Sequence, residues 1–94
     1  MGATATPSLE RVAWTPGVIM YANTQVQVIK VELPGVKMKD VQIAVEPGVL
    51  IVSGTSPCGA FLRRVPLRYK ATLDQVQARL REGVLEIRVP NPAS

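Results

Sequence analysis

The chain of 94 residues contains no histidine and a single cysteine. Without histidine it lacks the side chain that most often serves as general base near neutral pH and as metal ligand. One cysteine, Cys58, excludes an internal disulfide, a Cys-Cys redox pair and a thiolate metal site within one chain, so a cytoplasmic location is expected. Aromatics are scarce, with one Trp, two Tyr and one Phe. The core must therefore be built from Val, Ile, Leu and Ala, which suits a thin β-sandwich. No apolar run is long enough to cross a bilayer and no signal-peptide pattern is present, so no membrane association is expected. The start, Met1-Gly2-Ala3-Thr4-Ala5-Thr6, matches an N-myristoylation pattern only by its common small residues. The seven carboxylates are scattered singly, and no G-x-x-x-x-G-K-[ST] loop exists to cradle a phosphate. No catalytic centre, cofactor or metal is expected, and the chain does not read as an enzyme.

What is present is short alternation. A hydrophobic content of 47% against 19% charged residues fits one folded domain. Pro16-Gly17, Pro34-Gly35 and Pro47-Gly48 each offer a turn with Pro first and Gly second. The runs between them predict strands at about Val18–Tyr21, Gln25–Leu33, Val41–Glu46, Val49–Ser53, Ala60–Arg68, Gln75–Arg81 and Val84–Val89. Within Gln25–Leu33 the pattern changes phase: Val26 and Val28 are even, Ile29, Val31 and Leu33 odd. The change predicts either a bulge near Val28-Ile29 or burial on both faces. Residues 1–13 are expected to form a flexible N-terminal arm, 14–90 the folded domain, and 91–94 a short C-terminal tail. Leu9, Val12 and Trp14 could pack along a sandwich face.

Ala78-Arg-Leu-Arg-Glu-Gly-Val-Leu85 is the most informative stretch. It predicts a strand, a two-residue turn at Glu82-Gly83 and a return strand. Val76, Ala78 and Leu80 share one face, with Gln77, Arg79 and Arg81 opposite. The small Ala78 between larger neighbours leaves a notch that a partner's side chain can fill. Val41, Ile43 and Val45 also share a face, as do Phe61, Arg63 and Val65. Alternation alone does not tell a binding groove from a core face. Arg63, Arg64, Arg68 and Lys70 form a basic cluster on a chain of net charge +4. With only Phe61 and Tyr69 nearby and no groove-reading helix, a charged sheet edge is the better reading and no nucleic-acid partner is expected.

Ala78–Leu85 resembles the signature of the α-crystallin domain, the core of the small heat-shock proteins. Val31-Glu-Leu-Pro-Gly-Val36 looks like that family's DLPGV segment, Val49-Leu-Ile-Val-Ser-Gly54 like its LxISG strand, and Phe61-Leu-Arg-Arg64 like its Arg-bearing strand. The matches fall in the family's order from about Trp14 to Pro90. The resemblance implies an all-β, immunoglobulin-like sandwich of about seven antiparallel strands. It further implies an ATP-independent chaperone that binds partly unfolded clients, under stress, in a groove carried onto Val41, Ile43, Val45, Val76, Ala78 and Leu80. Arg63, with Phe61 and Val65 on its face, aligns with the family's dimer interface; a solvated edge arginine is the equal alternative. A homodimer or monomer is expected, or a hetero-oligomer with other family members. The alternative is an adaptor of the related CS co-chaperone type, which generally lacks the Ala78–Leu85 signature. Three departures stand out: only Thr55–Ala60 connects the strands where many members carry a strand-swapping excursion, no I-x-I/V motif follows Val89, and the N-terminal arm is short. Pro66 and Arg68 also depart from the family's pattern, which predicts a shortened or bulged strand there.

Overall fold

Branched aliphatic residues recurring at every second position bury one face of each central strand, and the seven strands they define form two antiparallel sheets. The computed structural model describes residues 12–93. The strands are β1 Val18–Ala22, β2 Val26–Glu32, β3 Val41–Glu46, β4 Val49–Ser56, β5 Gly59–Pro66, β6 Gln77–Arg81 and β7 Val84–Pro90. One sheet runs β1-β2-β7-β6 and the other β3-β4-β5. Ile29 and Val31 of β2 and Leu85, Ile87 and Val89 of β7 meet Leu50 and Val52 of β4 and Phe61 and Val65 of β5 in a single buried cluster. Each such side chain contributes about 1.5–3 kcal/mol when fully buried, and the core is carried by the inner strands β2, β4 and β7 together with β5. The all-β sandwich expected from the sequence is the fold observed.

The hairpin at Glu82-Gly83 forms as expected, with φ of 51° and 79° at the two turn residues. Both positive angles match the twist of the flanking strands, which pair from Gln77↔Arg88 to Arg81↔Val84. Pro34-Gly35 and Pro47-Gly48 also make turns, whereas Pro16-Gly17 does not: Pro16 is buried and the segment runs on without a turn into β1. Gly54 is required for a different reason. A Cβ there would lie 2.0 Å from the Asp40 carbonyl oxygen and 2.9 Å from the Phe61 ring, so only glycine lets the chain entering β3 cross this close to β4.

The phase change in β2 is not a bulge. Its register is unbroken against β1 from Val26's neighbour Gln27 to Val31, and against β7 from Val26 to Glu32. Gln27 occupies the inward position, while Val28 is buried on the opposite face. Gln27 is 3% exposed, and its amide spans the sandwich. Its Nε2 donates to the Pro66 carbonyl at 3.1 Å, and its Oε1 accepts from the Arg68 N–H at 2.8 Å. A buried polar side chain is tolerated because both ends of its amide are bonded. The β5 strand ends at Pro66 with no bulge in its pairing to β4; it is shorter than the Ala60–Arg68 span expected, because the backbone beyond Pro66 turns to Gln27.

At the chain's ends, Ala13 N–H donates to the Ala60 carbonyl at 2.8 Å. Asn91 N–H donates to the Gln25 carbonyl and its side-chain amide to the Thr24 carbonyl, both at 2.8 Å. Leu9 and the rest of the expected arm before Val12 lie outside the described residues. Gln27→Ala leaves the Pro66 carbonyl and Arg68 N–H without their partner. The expected cost is about 2 kcal/mol, read in a thermal melt as a fall of about 10 °C.

Candidate functional site

The sandwich ends in four edge strands, β1 and β6 of one sheet and β3 and β5 of the other. On β3, antiparallel pairing sets Val45 opposite Leu50, Ile43 opposite Val52 and Val41 opposite Gly54. Directly paired residues share a face, so all three point toward the other sheet. On β6, Ala78 pairs with Ile87 and Leu80 with Leu85, which turns them inward as well. Val76 closes the 3-10 turn Leu73–Gln75 that leads into β6. That turn runs against β3 and is held by Gln75 Oε1, which accepts from the Thr72 N–H at 2.9 Å.

Val41, Ile43, Val45, Val76, Ala78 and Leu80 therefore lie on two rims on the same side of the sandwich. All six pack against the core cluster yet are only half-buried. They are core residues on one side and surface on the other, the outcome that alternation alone left open. Gln77, Arg79 and Arg81 point away from the core and are exposed. At the end of β3 the rims open into an apolar cleft of about 780 Å³ between the Glu46–Gly48 turn and the Leu67–Thr72 segment, with Arg68 and Lys70 among its lining residues. Sequence reasoning missed this cleft, because its walls come from loops without periodicity.

On β5, Phe61 and Val65 are buried in the core and Arg63 is half-buried. Arg63 pairs with Val52, so its side chain leaves from the core-facing side at an edge. Its Nε is buried without a hydrogen-bond partner, a rare state for a donor. Arg64 is exposed on the other face. The first part of the β5 edge is occupied: Trp14 bridges to Phe61 in parallel, their ring centroids 5.3 Å apart. The indole Nε1–H of Trp14 lies within hydrogen-bond range of Ser56 Oγ at 3.1 Å and the Gly59 carbonyl at 3.2 Å. Cys58 is exposed at the tight turn joining β4 and β5.

Among the described residues, no three His, Cys, Asp or Glu side chains stand together to hold a metal ion. No described helix is long and apolar enough to cross a membrane. What the arrangement offers is hydrogen-bonding strand edges beside half-covered aliphatic rows.

Because Arg63 Nε is an unmet donor, its removal costs the isolated chain little. Arg63→Met, which keeps the aliphatic stem, is expected to hold the urea unfolding free energy within about 1 kcal/mol of the parent. A loss of several kcal/mol would mean that the guanidinium is internally bonded.

The profile of the Hsp20/alpha crystallin family matches residues 19–94. The chain is 39% identical over 80 residues to the 16.9 kDa class I heat shock protein 1 of Oryza sativa subsp. japonica, covering 67% of this chain and 53% of that one. It is 34% identical over 95 residues to the 17.8 kDa class I heat shock protein of Solanum lycopersicum, covering 74% and 62%. The chain spans about half the length of the rice relatives it matches. Among solved structures it is similar to hspA from Xanthomonas axonopodis, with a TM-score of 0.77, 27% identity and coverage of 86% of this chain and 97% of that one. Heat shock protein 16.0 from Schizosaccharomyces pombe shares the fold with a TM-score of 0.78 at 24% identity, covering 86% and 69%.

Proposed function

The chain belongs to the Hsp20/alpha crystallin family, and from that footing we propose that it is an ATP-independent holdase for partly unfolded proteins. The observation that carries this reading is the pair of half-buried rims, Val41-Ile43-Val45 on β3 and Val76-Ala78-Leu80 at β6. An extended client segment laid between them finds unpaired backbone groups on two strand edges, and alternating apolar pockets take every second side chain. The small Ala78 leaves room for a branched residue. The segment gives up exposed apolar surface and an aggregation-prone edge, and no bond is made or broken. Clients are selected by accessible aliphatic alternation rather than by sequence, which suits a protein that meets many damaged partners.

Self-association belongs to the same reading. The half-buried guanidinium of Arg63 at the β5 edge suits a carboxylate or carbonyl from a second subunit or from another family member. Phe61 and Val65 support that strand from the core. The cytoplasm is the compartment that fits a single exposed thiol. The family match gives the adaptor alternative no support.

Ala78→Arg fills the notch with a charge while leaving the buried cluster intact. In a light-scattering assay of a heat-aggregating enzyme, the parent protein at excess is expected to suppress turbidity and the variant to lose most of that suppression. The variant's circular dichroism and melting temperature are expected to stay near the parent's. Parent protein that leaves turbidity unchanged would overturn the holdase reading; an unfolded variant would place Ala78 in the core.

A further inference from the structure

The four edge strands differ in charge. The β1 strand has no charged residue and exposes Ile19 and Tyr21. On β5, Trp14 bridges to Phe61 over the first part of the edge. The outward row of β3 is Gln42, Ala44 and Glu46, with one carboxylate and no cation. The outward row of β6 is Gln77, Arg79 and Arg81, with two cations and no carboxylate, all three side chains exposed.

Neither arginine of this row has a counter-charge. Among the described residues the one ion pair joins Arg88 to Glu86, at 3.0 Å. Pairing with β7 sets Arg79 opposite Glu86 and Arg81 opposite Val84. The carboxylate facing Arg79 across the ladder is therefore engaged by Arg88, and Arg81 faces an aliphatic side chain. Glu82, in the turn beyond β6, pairs with neither. A hollow of about 310 Å³ lies beside the row, lined by Gln77, Ala78, Arg79, Glu86 and Arg88. Where β6 begins, the larger cleft adds Arg68 and Lys70 against a single Glu46. The free side of β6 thus carries an excess of positive charge along its length.

We propose that the β6 edge prefers client segments in which aliphatic residues alternate with Asp or Glu, and that Arg79 and Arg81 set this preference. The inference rests on the reading of β3 and β6 as a client groove and names the clients that groove favours. When a strand is added to an edge, directly opposite residues lie on the same face of the sheet. Side chains opposite Ala78 and Leu80 enter the groove, where the half-buried rims take aliphatic groups. Those opposite Gln77, Arg79 and Arg81 point outward, on the face that the groove itself does not read. Opposite residues have Cβ atoms about 4.5–5.5 Å apart, within reach of a carboxylate for a guanidinium, whose planar fork matches it. A Glu opposite Arg79 also finds room in the adjoining hollow. A Lys at the same place meets like charge and is repelled. Along β3 the acidic segment would instead face Glu46, so charge also decides which rim it pairs with. Each cross-strand ion pair is worth a factor of up to about five in affinity, so the result is a bias among clients rather than an all-or-none gate.

Fluorescence anisotropy with short labelled peptides tests the preference. Three peptides alternate Val with Glu, Val with Thr or Val with Lys, and a fourth carries Glu alone. The Val-Glu peptide is expected to bind about tenfold tighter than the Val-Thr peptide, with Val-Lys the weakest of the three. At ~1 M salt, where the Debye length falls to ~3 Å, Val-Glu should bind about as Val-Thr does. The double variant Arg79→Gln with Arg81→Gln should bring Val-Glu down to the level of Val-Thr. Arg79→Glu with Arg81→Glu should invert the order and make Val-Lys the tightest, an outcome that loss of fold cannot produce. Equal binding of Val-Glu and Val-Thr, both abolished by Ala78→Arg, would keep the groove and overturn the acidic preference. A Glu-only peptide that binds as tightly as Val-Glu, or a Val-Glu preference that persists in both folded double variants, would overturn it too. If no Val-bearing peptide binds at all, the groove reading fails and this inference fails with it.

Discussion

Burial of Ile29, Val31, Leu50, Val52, Leu85 and Ile87 between two facing sheets is the interaction on which the rest of the molecule depends. All six come from β2, β4 and β7, the strands with a neighbour on either side. Because so much apolar surface is closed on these inner strands, the outer ones need not close theirs. The rims of β3 and β6 remain half-covered, and β1 exposes most of its apolar side chains. A protein whose stability rests on its middle can keep sticky edges without unfolding.

The sheets are joined by more than grease. Gln27 sits at an inward position of β2 and bonds the backbone at Pro66 and Arg68, which fixes how the end of β5 meets the wider sheet. On the same side, Trp14 reaches Ser56 and Gly59 and packs at a tilt against Phe61. Polar ties of this kind set geometry rather than supply most of the stability. They cluster on the β1–β5 side, and among the described residues the opposite side, with β3 and β6, has none of them. The cleft side is the one free of such fastenings, consistent with a place where a segment can enter.

Most of the strand map was legible in the sequence, since a period of two survives wherever one face is buried. Val41–Glu46 came out with the expected bounds, and the Glu82-Gly83 turn was specified by its own chemistry. The errors have physical causes. Gln27 looked like a break in a hydrophobic row because its partners lie 39 and 41 residues away, and nothing local announces them. Pro16-Gly17 carried a turn's composition, but burial of Pro16 against the sandwich overrode it. The candidate groove was legible only in part. Alternation gave the faces of Val41–Val45 and Val76–Leu80, but that these faces sit at edges, half-closed, depends on how seven strands divide between two sheets. The exposed Ile19 and Tyr21 were hidden for the same reason, because an edge is a property of topology and not of a five-residue run.

The central claim is that client segments lie along β3 and β6. Hydrogen–deuterium exchange with and without a heat-denatured client tests it most directly, since strand addition protects the amides of the strands it covers. The account predicts added protection concentrated in Val41–Glu46 and Val76–Arg81, with β2, β4 and β7 unchanged. Protection absent from both rims while aggregation is still suppressed would contradict it.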